Sequence, residues 1–335
     1  MTHPFAGRRT LVLSLPQVRD LVGMSDALAI QRDAFIAAAR GSVRVSPNAW
    51  LRLPAPPRRW LKLLAGHESR SGALGVKVLA RFADNPPGAN LGSLVLLFDD
   101  RDGFPLAVMD GVYLTGLRTG AGAGLATDLL AAPHATRVGL VGTGAVAWDS
   151  LRAVVTVRPR LASLRVFSRS ASRREAFAAR AAAELGLDAV AVDSVAAALT
   201  GAEVVITATN APEPVLLPEH LEPGQHVNAM GIRTEVAPAA LARTWVVPDG
   251  VEEAVADGKT SVALAAGAIT RDDLGPPLGA LLDGPAPAYD PQRITLFDSS
   301  GVAVQDVVLA RAVWERAVDK GVGTAVDLGL DQAES

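Results

Sequence analysis

Lys77 stands inside Gly72-Ala73-Leu74-Gly75-Val76-Lys77-Val78-Leu79-Ala80-Arg81-Phe82, an apolar run in which an ammonium group is uncomfortable unless paired or used. Burial lowers a lysine's pKa and makes it serviceable as an acid or base. Taken alone, the run also fits a strand lysine whose stem snorkels along apolar surface, and that reading stands ahead. Arg118 opens Leu117-Arg118-Thr119-Gly120-Ala121-Gly122 after a strand-like run. A guanidinium there can clamp a carboxylate or a phosphate through two bonds; the alternative is an arginine on a helix surface.

The strongest local pattern is Val138-Gly139-Leu140-Val141-Gly142-Thr143-Gly144-Ala145-Val146-Ala147, a G-x-G-x-x-A placed where an apolar strand gives way to a helix. Gly142 permits the tight turn and Gly144 lets the backbone approach a pyrophosphate. Ala147 allows close helix–strand packing, and the helix N-terminus faces the phosphates. The next strand runs into Phe167-Ser168-Arg169-Ser170-Ala171-Ser172-Arg173-Arg174, with no acid before Glu175. An Asp or Glu there would hold the ribose 2′-hydroxyl of NAD and repel a 2′-phosphate. Ser168, Arg169, Ser170 and Arg173 therefore favour NADP(H), with NAD(H) the alternative; Arg173 and Arg174 also fit as solvated residues at a helix start.

These residues need elements to hold them. Helical character over 24–40, strands at 73–82 and 93–98, an acidic-glycine turn at 99–103 and a strand at 105–109 predict a hairpin-bearing, antiparallel or mixed first part. A proline-rich stretch, Pro54 to Trp60, precedes those strands. From residue 136 the rhythm becomes strand–helix alternation. Strands are expected at 137–141, 164–167, 189–192, 203–207, 225–229, 245–247 and 294–297, with helices at 145–157, 172–185 and from 302 onward. Alternation of this kind signals a doubly wound parallel sheet.

Composition narrows the class. The length suits about two domains, and a net charge of −3 with 20% charged residues argues against a nucleic-acid binder. The absence of Cys removes disulfides, thiolate nucleophiles and cysteine metal sites together and fits a reducing compartment. His3, His67, His134, His220 and His226 show no ligand spacing, so no metal is expected, and G-x-S-x-G is absent. No signal sequence or membrane span is read. The expectation is a soluble, cytoplasmic protein.

The run Ala107 to Ala121 (AVMDGVYLTGLRTGA), with Val141-Gly142-Thr143-Gly144, Thr207-Ala208-Thr209-Asn210, Pro223 to Gly231 (PGQHVNAMG) and Ile294 to Asp306 (ITLFDSSGVAVQD), closely resembles the ornithine cyclodeaminase/mu-crystallin family. The resemblance covers nearly the whole chain in order. It implies an α/β protein in which residues 1–117 and 306–335 form a mixed α+β dimerisation and substrate domain, and residues 118–305 a Rossmann NAD(P)-binding domain. It also implies a homodimer acting on a small molecule by hydride transfer at a carbon–nitrogen bond, as imine or ketimine reductases and amino-acid dehydrogenases do. The alternatives are a cyclodeaminase with bound NAD and a non-catalytic nucleotide-binding protein. Lys77 takes the family's lysine position as acid/base. Arg118, with Thr119 beside it, takes the position that contacts cofactor phosphate and, in several members, the substrate carboxylate. Thr207, Ala208 and Thr209 line the cofactor path; Met230, Ser299 and Gly301 approach the nicotinamide.

Three departures concern the substrate. An ungapped count back from Lys77 puts Ala49 where members that bind α-amino acids carry the arginine of Pro-x-Arg. Leu64-Ala65 replaces Met-Pro, and Arg233 stands where cyclodeaminases place an Asp that takes the amine. Arg233, together with Arg118, is expected to grip an acidic group; a solvent-facing Arg233, or replacement of the lost arginine by Arg52, are the alternatives.

Overall fold

The computed structural model describes residues 5, 7–54, 59–86 and 89–330. His3 and the centre of the proline-rich stretch, residues 55–58, lie outside them. Elements follow in the order β1 (Thr10–Leu13), α1 (Leu15–Leu21), α2 (Met24–Ala39), β2 (Val43–Val45), β3 (Ala49–Arg52), β4 (Arg59–Glu68), β5 (Ala73–Phe82), β6 (Leu91–Asp99), β7 (Pro105–Asp110) and α3 (Val112–Leu130). Then come β8 (Arg137–Val141), α4 (Ala145–Val157), β9 (Ser163–Phe167), α5 (Ala171–Leu185), β10 (Asp188–Ala191), α6 (Val195–Leu199), β11 (Val204–Thr207) and β12 (His226–Ala229). The chain closes with α7 (Pro238–Leu241), β13 (Trp245–Pro248), α8 (Val251–Asp257), α9 (Lys259–Ala265), α10 (Leu278–Asp283), β14 (Thr295–Asp298), α11 (Ala303–Lys320) and β15 (Thr324–Val326). No helix of the described residues is long and apolar enough to cross a membrane.

Two compact units result: Met1–Arg118 with Val302–Ser335, and Thr119–Gly301. Arg118 and residues 302–305, expected with the Rossmann domain, group with the first unit; α11 starts at Ala303 and packs on that unit's strands.

The first unit is built on an eight-stranded sheet in the order β15-β1-β7-β6-β5-β4-β2, with β3 also on β4; β1–β7 is parallel and the other pairs are antiparallel. The acidic-glycine turn forms as expected. Asp99 Oδ1 accepts the Arg101 N–H at 3.1 Å, and Gly103 supplies a φ of 79°. Helix α11 lies against β4 and β5 where those strands have no side chains: a Cβ at Gly66 would press on Ala303, and one at Gly75 on Val307 and the Leu96 carbonyl. The run before Arg118 is not strand. Asp110 caps a turn by accepting the Tyr113 N–H at 2.9 Å, and the chain from Val112 is helical, so Arg118 sits within α3.

In the second unit, seven parallel strands lie in the order β10-β9-β8-β11-β12-β14-β13. Strand order reverses between β8 and β11, the topological switch point where doubly wound sheets bind ligands. Strands β8 and β11 at the switch point are buried on both faces and read as almost continuous apolar runs. Helix α5 starts at Ser170, whose hydroxyl accepts the Arg173 N–H at 3.4 Å, and stops at left-handed Gly186.

Candidate active site

Most of the expected cofactor residues gather at the C-terminal ends of the parallel strands, whereas Arg118 and Thr119 lie on α3. Strand pairing puts Phe167, Val141, Thr207, Ala229, Asp298 and Pro248 side by side at the strand ends. Ser168–Ser170, Gly142–Gly144, Ala208–Thr209, Met230–Gly231 and Ser299–Gly301 each follow one of those residues. Gly142 has φ 118°, and a Cβ there would overlap the Ala208 carbonyl. At Gly144 a Cβ would meet nothing within 4 Å. The first i→i−4 bond of α4 is Trp148 N to Gly144 O, which leaves the amides of Ala145, Val146 and Ala147 ahead of it. An open space before the N-terminus of a 13-residue helix is the arrangement a pyrophosphate requires. Thr143 and Val146 are half-buried around that opening. The residues present fit a dinucleotide.

Buried carboxylates brace the turns after these strands, and sequence reasoning missed them. Glu235 accepts the N–H groups of Thr209 (3.0 Å) and Gly231 (2.6 Å), so it ties the turn after β11 to the one after β12. Asp249 accepts the N–H groups of Ser300 (2.9 Å) and Gly301 (2.7 Å) and fixes the segment after β14. Burial pushes the carboxyl groups of both up, and for Asp249 the nearby Asp298 adds to the rise. Asp298 accepts from the backbone and hydroxyl of Thr260 at 2.9 and 2.7 Å and lies 3.5 Å from the Lys259 ammonium, which donates to the Ser299 carbonyl at 2.7 Å. Apart from Gly231 and Glu235, these partners lie far apart in the chain with no motif spacing, and strand order brings them together. His226 is also buried, held between Thr295 Oγ1 and Asn228 Oδ1, and burial drops its pKa to about 3. It is a neutral core histidine.

Where a ribose 2′-substituent is expected, Ser168 and Ser170 are half-buried and Arg169 and Arg173 exposed. Arg174 reaches back to donate to the Ser168 carbonyl at 3.1 Å.

The first unit holds the other chemistry. Lys77, 1% exposed, points from β5 toward α11, where its ammonium lies 2.7 Å from Oδ2 of fully buried Asp306. Arg118 Nε reaches Oδ1 of the same carboxylate at 3.2 Å, and Nη1 donates to Gln305 Oε1 at 3.1 Å. Gln31 on α2 donates to the Gln305 carbonyl at 2.8 Å. Burial, then repulsion from Arg118, pulls the Lys77 pKa down to about 7, with Lys62 adding repulsion and Asp306 opposing it. A lysine so placed is half-protonated at neutral pH. Snorkelling does not describe it, nor is Arg118 a surface arginine. Asp306 closed the family-like tail segment in the sequence, yet nothing local marked it as the partner of Lys77.

The substrate expectations fare unevenly. Leu64 pairs with Lys77 and is buried on the same sheet face. Ala49 does not lie there. It pairs with Leu63, so it belongs to the opposite face, whereas Trp50 pairs with Lys62 on the face of Lys77. The alternation of strand side chains overrides the ungapped count. Arg52 stacks over the Trp50 ring at 4.8 Å. Arg233 is exposed in the segment after β12.

A doubly wound parallel sheet with G-x-G-x-x-A at its switch point defines the second unit as a Rossmann-type dinucleotide-binding domain. The chain belongs to the ornithine cyclodeaminase/mu-crystallin family, whose model matches residues 8–321. It is similar to Delta(1)-pyrroline-2-carboxylate reductase of Thermococcus litoralis, solved with NADH and L-proline: 27% identity, TM-score 0.90, covering 95% of this chain and 100% of that one. An archaeal alanine dehydrogenase dimer with bound NAD matches at 29% identity and TM-score 0.89, over 96% of this chain and 99% of its own. Iminosuccinate reductase of Paracoccus denitrificans with NAD+ matches at 30% identity and TM-score 0.86, over 96% of this chain and all of that one.

Proposed function

We infer that this chain is an NAD(P)H-dependent oxidoreductase acting on carbon–nitrogen bonds, and that it reduces the C=N bond of an imino acid. The observation that carries the reading is the buried Lys77, with a pKa of about 7, sharing Asp306 with Arg118. Bound NAD(P)H supplies a hydride. The Lys77 ammonium would donate a proton to the substrate nitrogen as the imine carbon takes up the hydride, and Asp306 holds the lysine in place. The products are an amine and NAD(P)+, and the neutral lysine regains its proton from solvent.

NADP(H) is the proposed cofactor, because Ser168, Arg169 and Ser170 stand where a carboxylate would repel a 2′-phosphate. Arg118, Thr119, Thr207, Ala208, Thr209, Met230, Ser299 and Gly301 belong to the proposed cofactor set. A homodimer is part of the proposal. On the sheet face opposite α11, Leu63, Val76, Val78 and Leu96 are only half-buried and Leu94 is 50% exposed, an apolar surface suited to a second copy. Sedimentation of Leu94→Asp as a monomer, against a dimeric parent, is the expected outcome. A cytoplasmic location rests on the cysteine-free composition.

The test is oxidation of NADPH and NADH with a panel of imines headed by Δ1-pyrroline-2-carboxylate. Lys77→Ala is expected to abolish turnover and keep cofactor binding; turnover at the parent rate would make the lysine structural. Ammonia release from ornithine or lysine without net cofactor turnover would favour cyclodeaminase chemistry instead.

A further inference from the structure

The sheet face that carries Lys77 holds a second buried lysine, which neither the motifs nor the family resemblance singles out. Lys62 on β4 is 9% exposed. Pairing places Lys62 opposite Leu79 and Leu64 opposite Lys77, so the two lysines are diagonal neighbours on one face. Diagonal positions on paired strands lie about 7–8 Å apart, within reach of long side chains. Their ammonium groups can therefore address adjacent groups of one small molecule. The electrostatics agree, since Lys62 is among the charges that depress the Lys77 pKa.

What surrounds Lys62 suits an anion. Its ammonium lies 4.5 Å from the centre of the Trp50 ring, whose neighbour Trp60 meets it edge-on at 5.0 Å. Trp50 is 36% exposed, so the aromatic wall beside the buried lysine is open on one side. Arg52 pairs with Trp60, one step further along the same face, and is exposed. Ala49, which stands by residue count in the place of an arginine, faces the other way. Lys62 brings a cation to the face of Lys77 from the neighbouring strand instead.

We propose that Lys62 receives the carboxylate of an α-imino acid substrate, with Trp50 as one wall of that subsite and Lys77 serving the nitrogen. The assignment rests on the reading of this chain as a C=N reductase. It makes Lys62 a specificity-determining residue and requires the substrate's acidic group to be adjacent to the reacting carbon.

The experiment has a kinetic and a binding arm. In the first, kcat/KM is measured for Δ1-pyrroline-2-carboxylate and for 1-pyrroline, the same ring without the carboxylate, in the parent, Lys62→Met and Lys62→Arg. The preference for the carboxylated ring is expected to fall about tenfold to a hundredfold in Lys62→Met, the size of a lost charge-assisted contact. Lys62→Arg should keep most of it. In the second arm, calorimetry on protein saturated with NADP+ follows binding of pyrrole-2-carboxylate and of pyrrole. Lys62-dependent binding of the acid alone, in a protein that reduces neither imine, would support the subsite and sink the reductase reading. A parent that binds no carboxylate, or a Lys62→Met variant that loses both rings equally or neither, would overturn the assignment.

Discussion

The Lys77 ammonium meets Oδ2 of Asp306 at 2.7 Å, joining a mid-sheet strand to the first turn of α11, and Arg118 takes the other oxygen of that carboxylate. One acid thus faces two cations in a buried site. The lysine titrates where it does because the carboxylate only partly offsets burial and like-charge repulsion. Reduction that draws its proton from Lys77 should slow as pH rises through about 7. Asp306→Asn removes the attraction and should move that descent to lower pH; Lys62→Met removes a repulsion and should move it up. Profiles of kcat/KM against pH check both signs. Asp306→Glu, which keeps the charge, should stay close to the parent, and identical profiles for all four proteins would exclude Lys77 as the acid.

Lys77 also ties stability to pH. Unfolded, it keeps its proton up to the ordinary value of 10.5; folded, it gives it up at about 7. Between those values the unfolded state holds more protons, so stability rises with pH across the window, and the cost of the buried charge is fully present below it. Urea midpoints of the parent and Lys77→Met should differ most in favour of the variant near pH 6. The gap should narrow by a few kcal/mol toward pH 10, because each tenfold change in proton affinity is worth ~1.4 kcal/mol.

At the ribose end, Arg169→Asp should weaken NADPH binding by about tenfold to a hundredfold and leave NADH affinity little changed or improved. Titration of both cofactors into both proteins is the measurement. Tighter binding of NADH by the parent would reverse the proposed preference.

Gly142 and Gly144 should separate folding from binding. Gly142→Val forces a side chain into φ 118° and into the Ala208 carbonyl, so it should cost several kcal/mol of stability. Gly144→Val points its side chain into open space and should cost only about 1 kcal/mol through the poorer helix cap. It should still lose dinucleotide binding more than about tenfold. Thermal denaturation with and without cofactor distinguishes the two.

The second unit was largely legible because each of its signals is local. Strands 137–141 and 203–207 announce themselves as apolar runs, and Gly142 to Ala147 names its own turn. The first unit was less so. Strand β4 went unread because its polar residues Lys62 and Glu68 lie on the buried face, while Leu61, Leu63 and Ala65 take the half-exposed one. That inverts the pattern by which a strand is recognised. Asp306 and Asp249 were invisible for another reason: Asp306 reaches Lys77 only through the packing of α11 on the sheet, and Asp249 reaches Ser300 and Gly301 only through strand order, so neither partnership leaves a spacing in the chain.

The seating of Ala303 and Val307 over Gly66 and Gly75 has a consequence for the order of synthesis. Strands β4 and β5 leave the ribosome early, yet the helix that covers them and supplies Asp306 comes only after Thr119–Gly301 has been made. At roughly 5–20 residues per second, that interval is on the order of ten to forty seconds. During it the nascent N-terminal sheet carries Lys77 and Lys62 on a bare surface, while the later unit already has all its strands as soon as it emerges. A translating chain therefore passes through a stage in which the parallel sheet is complete and the acid/base half is still waiting for its lid.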